Sequence, residues 1–82
     1  MVYILLAPGF EEAEALVPAD LLRRANIETA LVSVTGKPVP GSHGITVVAD
    51  IAMEDVDLSK ADMVVLPGGG LGYKNLGKEP RV

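Results

Sequence analysis

Two runs in this sequence have residue types and spacing that could do chemistry: the carboxylates of Glu11-Glu12-Ala13-Glu14, and the glycines Gly68-Gly69-Gly70, which follow Met63-Val64-Val65-Leu66 and Pro67. Consecutive glycines reach backbone conformations closed to other residues and leave their N–H groups uncovered. Such a turn offers main-chain donors to an oxygen on which negative charge develops. Other meanings of the glycines fail on spacing. A dinucleotide fingerprint counted from Gly68 and Gly70 ends on Tyr73, and Gly77-Lys78-Glu79 is not the Gly-Lys-Ser/Thr of a phosphate loop. The glycines alone leave open whether the turn is structural or an oxyanion hole. His43 is the only histidine and lies in turn-like sequence. With no Cys, His or spaced carboxylate beside it, it reads as an exposed imidazole and not a metal ligand. Glu11, Glu12 and Glu14 read as first-turn helix carboxylates, and Arg23 and Arg24 as last-turn cations, the polarity the helix dipole favours.

Composition limits what these residues can serve. The 82 residues are 49% apolar and 22% charged, with a net charge of −4, too apolar for disorder and with no basic footprint for nucleic acid or an anionic membrane. No apolar run approaches the ~20 residues of a membrane span, and no basic segment precedes the first one as in a signal peptide. A cytoplasmic location is therefore expected. With no cysteine in the sequence, disulfides, zinc-thiolate sites and a thiol nucleophile within these residues are excluded.

The elements that must position the candidate residues follow from periodicity. Val2 to Ala7 is apolar at every position, as in a central parallel strand, and Pro8-Gly9 ends it. Phe10 to Ala25 carries apolar residues at 13, 17, 21 and 25 with Leu16 and Leu22 beside them, which predicts a helix buried along that stripe. Pro18 predicts a kink within it, and Asn26 a stop. Glu28 to Thr35 predicts a second strand. Val39 to Gly44 reads as turn chemistry before a short strand at Ile45 to Val48, a small hairpin or projecting arm. An irregular connection over 49–60, with room for one helical turn, leads to Met63–Leu66, read as a strand buried on both faces. A further helical turn is expected at 71–76. Strand, helix, strand, connection, strand is the order of a parallel α/β sheet. One helix covers only part of one face, so the chain is expected to be incomplete as a folding unit.

Taken together, Ala7-Pro8-Gly9-Phe10-Glu11-Glu12-Ala13-Glu14-Ala15, Pro18-Ala19-Asp20-Leu21-Leu22-Arg23-Arg24-Ala25 and Val64-Val65-Leu66-Pro67-Gly68-Gly69 resemble the ThiJ/PfpI superfamily, most closely its Parkinson-disease-protein ("DJ-one") branch. The resemblance is collinear over the whole sequence. It implies a flavodoxin-like α/β sandwich of roughly twice this length, usually a homodimer, of which residues 1–82 are the N-terminal portion of a single domain. The site it implies is built on a cysteine in the missing second half, where the catalytic histidine of some members also lies. Glu14 would hydrogen-bond that sulfur in its protonated form, and the N–H of Gly69, with Gly70 beside it, would serve as the oxyanion hole. Arg24 and His43 would lie near the dimer edge and the mouth of the site. This sequence has His43 where close relatives carry arginine, and Gly41 where some carry an auxiliary cysteine.

The activity implied is cofactor-independent glyoxalase or deglycase chemistry on a small aldehyde such as methylglyoxal. The partner required is a C-terminal fragment of the same protein, as after cleavage near Val82 with both pieces still associated. Alternatives are a redox-sensing or chaperone-like stress protein of the same family, a cysteine peptidase of the wider superfamily, or a flavodoxin-like module whose glycine turn holds phosphate.

Overall fold

A computed structural model of the chain describes residues 1–69, and the expected helical turn at 71–76 lies outside them. Strand β1 is Val2–Leu6, helix α1 Glu12–Arg24 and strand β2 Thr29–Ser33; β3 (Pro38–Pro40) and β4 (Thr46–Val48) form a hairpin, followed by β5 (Ile51–Ala52), 3₁₀ turns at Met53–Asp55 and Leu58–Lys60, and β6 (Met63–Val65). The main sheet has the order β5-β2-β1-β6. All its pairings are parallel, with Val2 opposite Thr29 on one side and Met63 on the other. This is the parallel α/β architecture the element order required.

Central β1 is buried along its whole length, and its alternation divides the core in two. Ile4 and Leu6 pack with Phe10, Ala15, Ala19, Leu31 and Val39 beneath α1 and the hairpin. Tyr3 and Leu5 pack with Ala30, Val32 and Met53, so the connection over 49–60 partly covers the opposite face.

Helix α1 runs unbroken through Pro18, and Asn26 after its end takes a φ of 62°, the left-handed geometry of a helix stop. Its orientation differs from the expected one. The buried face is Glu12, Ala15 and Ala19, with Leu16 and Leu22 half-buried, whereas Val17 and Leu21 are 54% and 60% exposed. The helix is apolar around much of its circumference, so periodicity offers two stripes. The alanines let the helix axis approach the sheet closely, and the larger side chains of the 13/17/21 stripe turn outward.

The reading of Met63–Leu66 as a strand buried on both faces is also corrected. Among the described residues β6 is an edge strand, with Met63 55% and Leu66 56% exposed. An uninterrupted apolar run does call for cover on both faces, and the described residues do not supply it.

Candidate functional site

The turn after β6 is fastened to the start of α1 by two hydrogen bonds. Gly68 N–H donates to Glu14 Oε1 at 2.8 Å, and Glu11 N–H donates to the Gly68 carbonyl at 2.8 Å. Parallel pairing of β6 with β1 delivers both chain ends to the same edge of the sheet, so residues 54 positions apart meet there. Gly69 has a φ of +101°, which only glycine adopts without strain. A Cβ at this position would stand 2.5 Å from the Gly9 carbonyl oxygen and 3.0 Å from the Glu11 nitrogen. Among the described residues the Gly69 N–H has no hydrogen-bond partner. The fold thus brings Glu14 to the glycine turn; Gly70 lies outside the described residues.

The other carboxylates behave differently from their reading as solvated groups. Glu12 is 4% exposed. Its Oε2 accepts from His43 N–H at 2.7 Å and Ile45 N–H at 3.2 Å, while its Oε1 accepts from Ser42 Oγ at 3.3 Å. Burial opposes its ionisation, but the N–H groups of Glu12 itself, His43 and Ile45, together with the His43 imidazole, more than offset this and bring its pKa down to about 2. Glu12 therefore ties the crown of the β3–β4 hairpin to the first turn of α1. Space is left for its carboxylate only because residue 41 is glycine, since a Cβ there would overlap it. Nothing in a single Glu-Glu pair marks one of the two for burial, so sequence alone could not distinguish them.

His43 has neighbours that local sequence does not give it. Its Nδ1 lies 2.9 Å from Ser42 Oγ, 3.1 Å from Glu12 Oε1 and 3.5 Å from Glu11 Oε1. Its pKa is raised above the usual 6.5 by the Glu12 hydrogen bond and then by the charges of Glu11 and Glu12. The premise that no carboxylates stand near this histidine is thus overturned. Glu11, Glu12 and His43 each place one ligand atom within 4.8 Å of the others, close enough for a cation to bridge, although the buried Glu12 oxygens are already committed to N–H donors.

A pocket of about 400 Å³ adjoins this cluster, lined by Pro8, Gly9, Pro40, Gly41 and Ser42. Arg24, by contrast, pairs with Asp20 on the exposed side of α1, Nε to Oδ1 3.0 Å, near the end opposite Glu14. The structure does not bring it to the glycine turn, which lies at the other end of a 13-residue helix.

Fold and site together define an α/β domain whose first helix meets a glycine turn at the carboxyl edge of a parallel sheet. The chain belongs to the DJ-1/PfpI family, whose model matches residues 1–82. It is 40% identical over 81 residues to the Parkinson disease protein 7 homolog of Danio rerio, covering 96% of this chain and 43% of that protein. A deglycase of Thermococcus kodakarensis is 38% identical over 68 residues, 83% of this chain and 41% of that one. The crystal structure of Drosophila melanogaster DJ-1beta superposes with a TM-score of 0.93 at 36% identity, covering 99% of this chain and 44% of that chain. A mutant DJ-1 superfamily protein from Salmonella typhimurium gives 0.92 at 43% identity, over 98% and 44%. The chain thus spans less than half the length of these relatives and corresponds to their N-terminal half. No helix among the described residues is long and apolar enough to cross a membrane.

Proposed function

We propose that residues 1–82 are the N-terminal portion of one α/β domain whose complete form is a cysteine-dependent glyoxalase or deglycase, acting on small reactive carbonyls such as methylglyoxal. The observation that carries this reading is the contact of Glu14 with the glycine turn, beside a Gly69 N–H that nothing among the described residues occupies. The family and the deglycase among the relatives support it.

In this scheme a cysteine thiolate from the C-terminal segment attacks the aldehyde carbon. The oxygen that becomes an alkoxide is met by the Gly69 N–H. Glu14, in its protonated form, donates to the sulfur and steadies it. Conversion of a 2-oxoaldehyde and water to a 2-hydroxy acid is redox-neutral and needs no external oxidant. The C-terminal segment would also cover the exposed apolar residues Met63, Val64 and Leu66 at the sheet edge and complete a cytoplasmic homodimer, with Val17 and Leu21 of α1 available for burial.

The test uses this chain joined to or co-expressed with its C-terminal complement. The complete protein should consume methylglyoxal. Glu14→Ala should raise the nucleophile's pKa while Glu14→Gln retains much of the contact. Equal thiol pKa values in all three forms would exclude the role of Glu14, and a stable sulfinate without turnover would favour the redox-sensing reading.

A further inference from the structure

The buried Glu12, the imidazole of His43 and the pocket beside them form a contiguous unit that the glycine turn and Glu14 do not account for. Glu12 is fixed by two backbone N–H donors and a serine hydroxyl, so its Oε1 faces His43 Nδ1 at 3.1 Å without freedom to turn away. An ionised carboxylate only accepts, and Glu11 presents a second one at 3.5 Å. The proton of the ring therefore sits on Nδ1, and the tautomer and orientation of the imidazole are set by Glu12, leaving Nε2 as the nitrogen that exchanges protons. Nε2 makes no hydrogen bond among the described residues, and the side chain is 68% exposed.

The unit adjoins the glycine turn. Ser42, which touches both Glu12 and His43 Nδ1, lines the pocket together with Gly9. The Gly9 carbonyl is the atom against which Gly69 is packed, and Glu11 bonds Gly68 through its N–H while its carboxylate faces His43. The glycine turn, the pocket and the imidazole thus share Gly9 and Glu11 as neighbours.

We propose that Glu12 and His43 form an acid–base dyad serving the site at the glycine turn, with Glu12 as the positioning residue and His43 Nε2 as the proton-transfer group. The proposal rests on the thiol-aldehyde reading above. Its chemistry is proton transfer alone. The shift that turns the thiol–aldehyde adduct, a hemithioacetal, into the thioester of the 2-hydroxy acid moves one hydrogen from the former aldehyde carbon to its neighbour. A base that takes a proton and returns it balances that step, and water then hydrolyses the thioester to release the 2-hydroxy acid and the thiol. Among the described residues the ionisable groups facing the imidazole are Glu11, which precedes α1, and Glu12 in its first turn; the hairpin strands, Pro38–Pro40 and Thr46–Val48, carry none.

Glu12→Gln tests the dyad in the complete protein. The amide can keep its oxygen on the His43 and Ile45 N–H groups while turning its NH₂ toward Nδ1, which preserves the crown and reverses the proton's place on the ring. Ring-nitrogen NMR of the wild type should show an Nδ1–H imidazole titrating above 6.5, and in Glu12→Gln an Nε2–H imidazole titrating lower than in the wild type. With methylglyoxal, Glu12→Gln and His43→Gln should each lower kcat by about 100-fold, the low end of general acid–base contributions. KM should change little, the double variant should be no worse than either single one, and the limb of the pH–rate profile that follows His43 should be lost. A wild-type imidazole protonated only on Nε2, or a His43→Gln protein with unchanged kcat and pH profile, would overturn the proposal. If the complete wild-type protein leaves methylglyoxal untouched, the thiol-aldehyde reading fails separately, and the ring spectrum and titration decide the dyad alone.

Discussion

Gly68 and Gly69 are adjacent and share a residue type, yet alanine at the two positions should have opposite consequences. At Gly69 the backbone sits at φ +101°, and the new Cβ would meet main-chain atoms: the Gly9 oxygen at 2.5 Å, the Glu11 nitrogen at 3.0 Å and the Phe10 carbonyl carbon at 3.2 Å. Left-handed backbone costs an L-residue roughly 1–2 kcal/mol. Relieving the clash means moving β1's exit from α1's start, an overpacking cost of typically about 1–3 kcal/mol. Gly69→Ala should therefore destabilise the completed protein by about 2–5 kcal/mol, which at ~2–4 °C per kcal/mol for a chain of 150–250 residues lowers Tm by about 4–20 °C. At Gly68 the nearest atom to a Cβ is Glu14 Oε1, 2.7 Å away at the end of a flexible side chain. That group can swing aside, so Gly68→Ala should change stability by no more than about 0.5 kcal/mol, the usual range of surface substitutions, while displacing Glu14 from the turn. Thermal unfolding of the two variants, with the thiol pKa of the complete protein as the second readout, separates them. Equal loss of stability in both, or an unshifted Tm in Gly69→Ala, would refute the steric argument.

Two further outcomes follow from groups outside the glycine turn. Glu12 titrates at about 2 in the fold against 4.5 unperturbed; a carboxylate whose folded pKa is depressed gives stability that is fully present above its unfolded pKa and is lost as pH falls through the folded one. Protection of the His43 and Ile45 amides from exchange should decline between pH 4.5 and 2 and should decline far less in Glu12→Gln, which carries no titrating group. Asp50 Oδ2 accepts from Leu31 N–H at 2.8 Å and from Arg23 at 2.6 Å, where β5 is too short to pair that part of β2. Asp50→Ala leaves a buried-strand N–H without its acceptor and should cost about 1–3 kcal/mol in denaturant unfolding, whereas Asp50→Asn, whose amide oxygen can still accept from Leu31 N–H, should recover most of that loss.

The sheet and helix were legible because their signals are local. Val2 to Leu6 is apolar at successive positions, which only a strand covered on both faces can use, and Asn26 stops a helix by a conformation that few residues tolerate. The combination of carboxylates, mid-helix proline and Leu-Pro-Gly-Gly turn marks the family by itself. Which face of α1 packs was not legible. Two apolar stripes compete, and the choice depends on how closely Ala15 and Ala19 let the helix approach β1 and β2. The position of Met63–Val65 at the sheet edge depends likewise on which strands are present to pair with it.

The same division runs through the site. Sequence determined that glutamates would stand at a helix start and glycines at a strand end, because helix dipoles and tight turns act over a few residues. Only the tertiary structure decided which glutamate goes where. Glu14 reaches Gly68 because β6 pairs parallel to β1, and Glu12 is buried because the hairpin folds back over the helix start and brings three hydrogen-bond donors to its carboxylate. A buried charge is tolerated only where such donors converge. Their convergence here joins residues 30 and more positions apart, a relation that chain topology creates and local sequence does not encode.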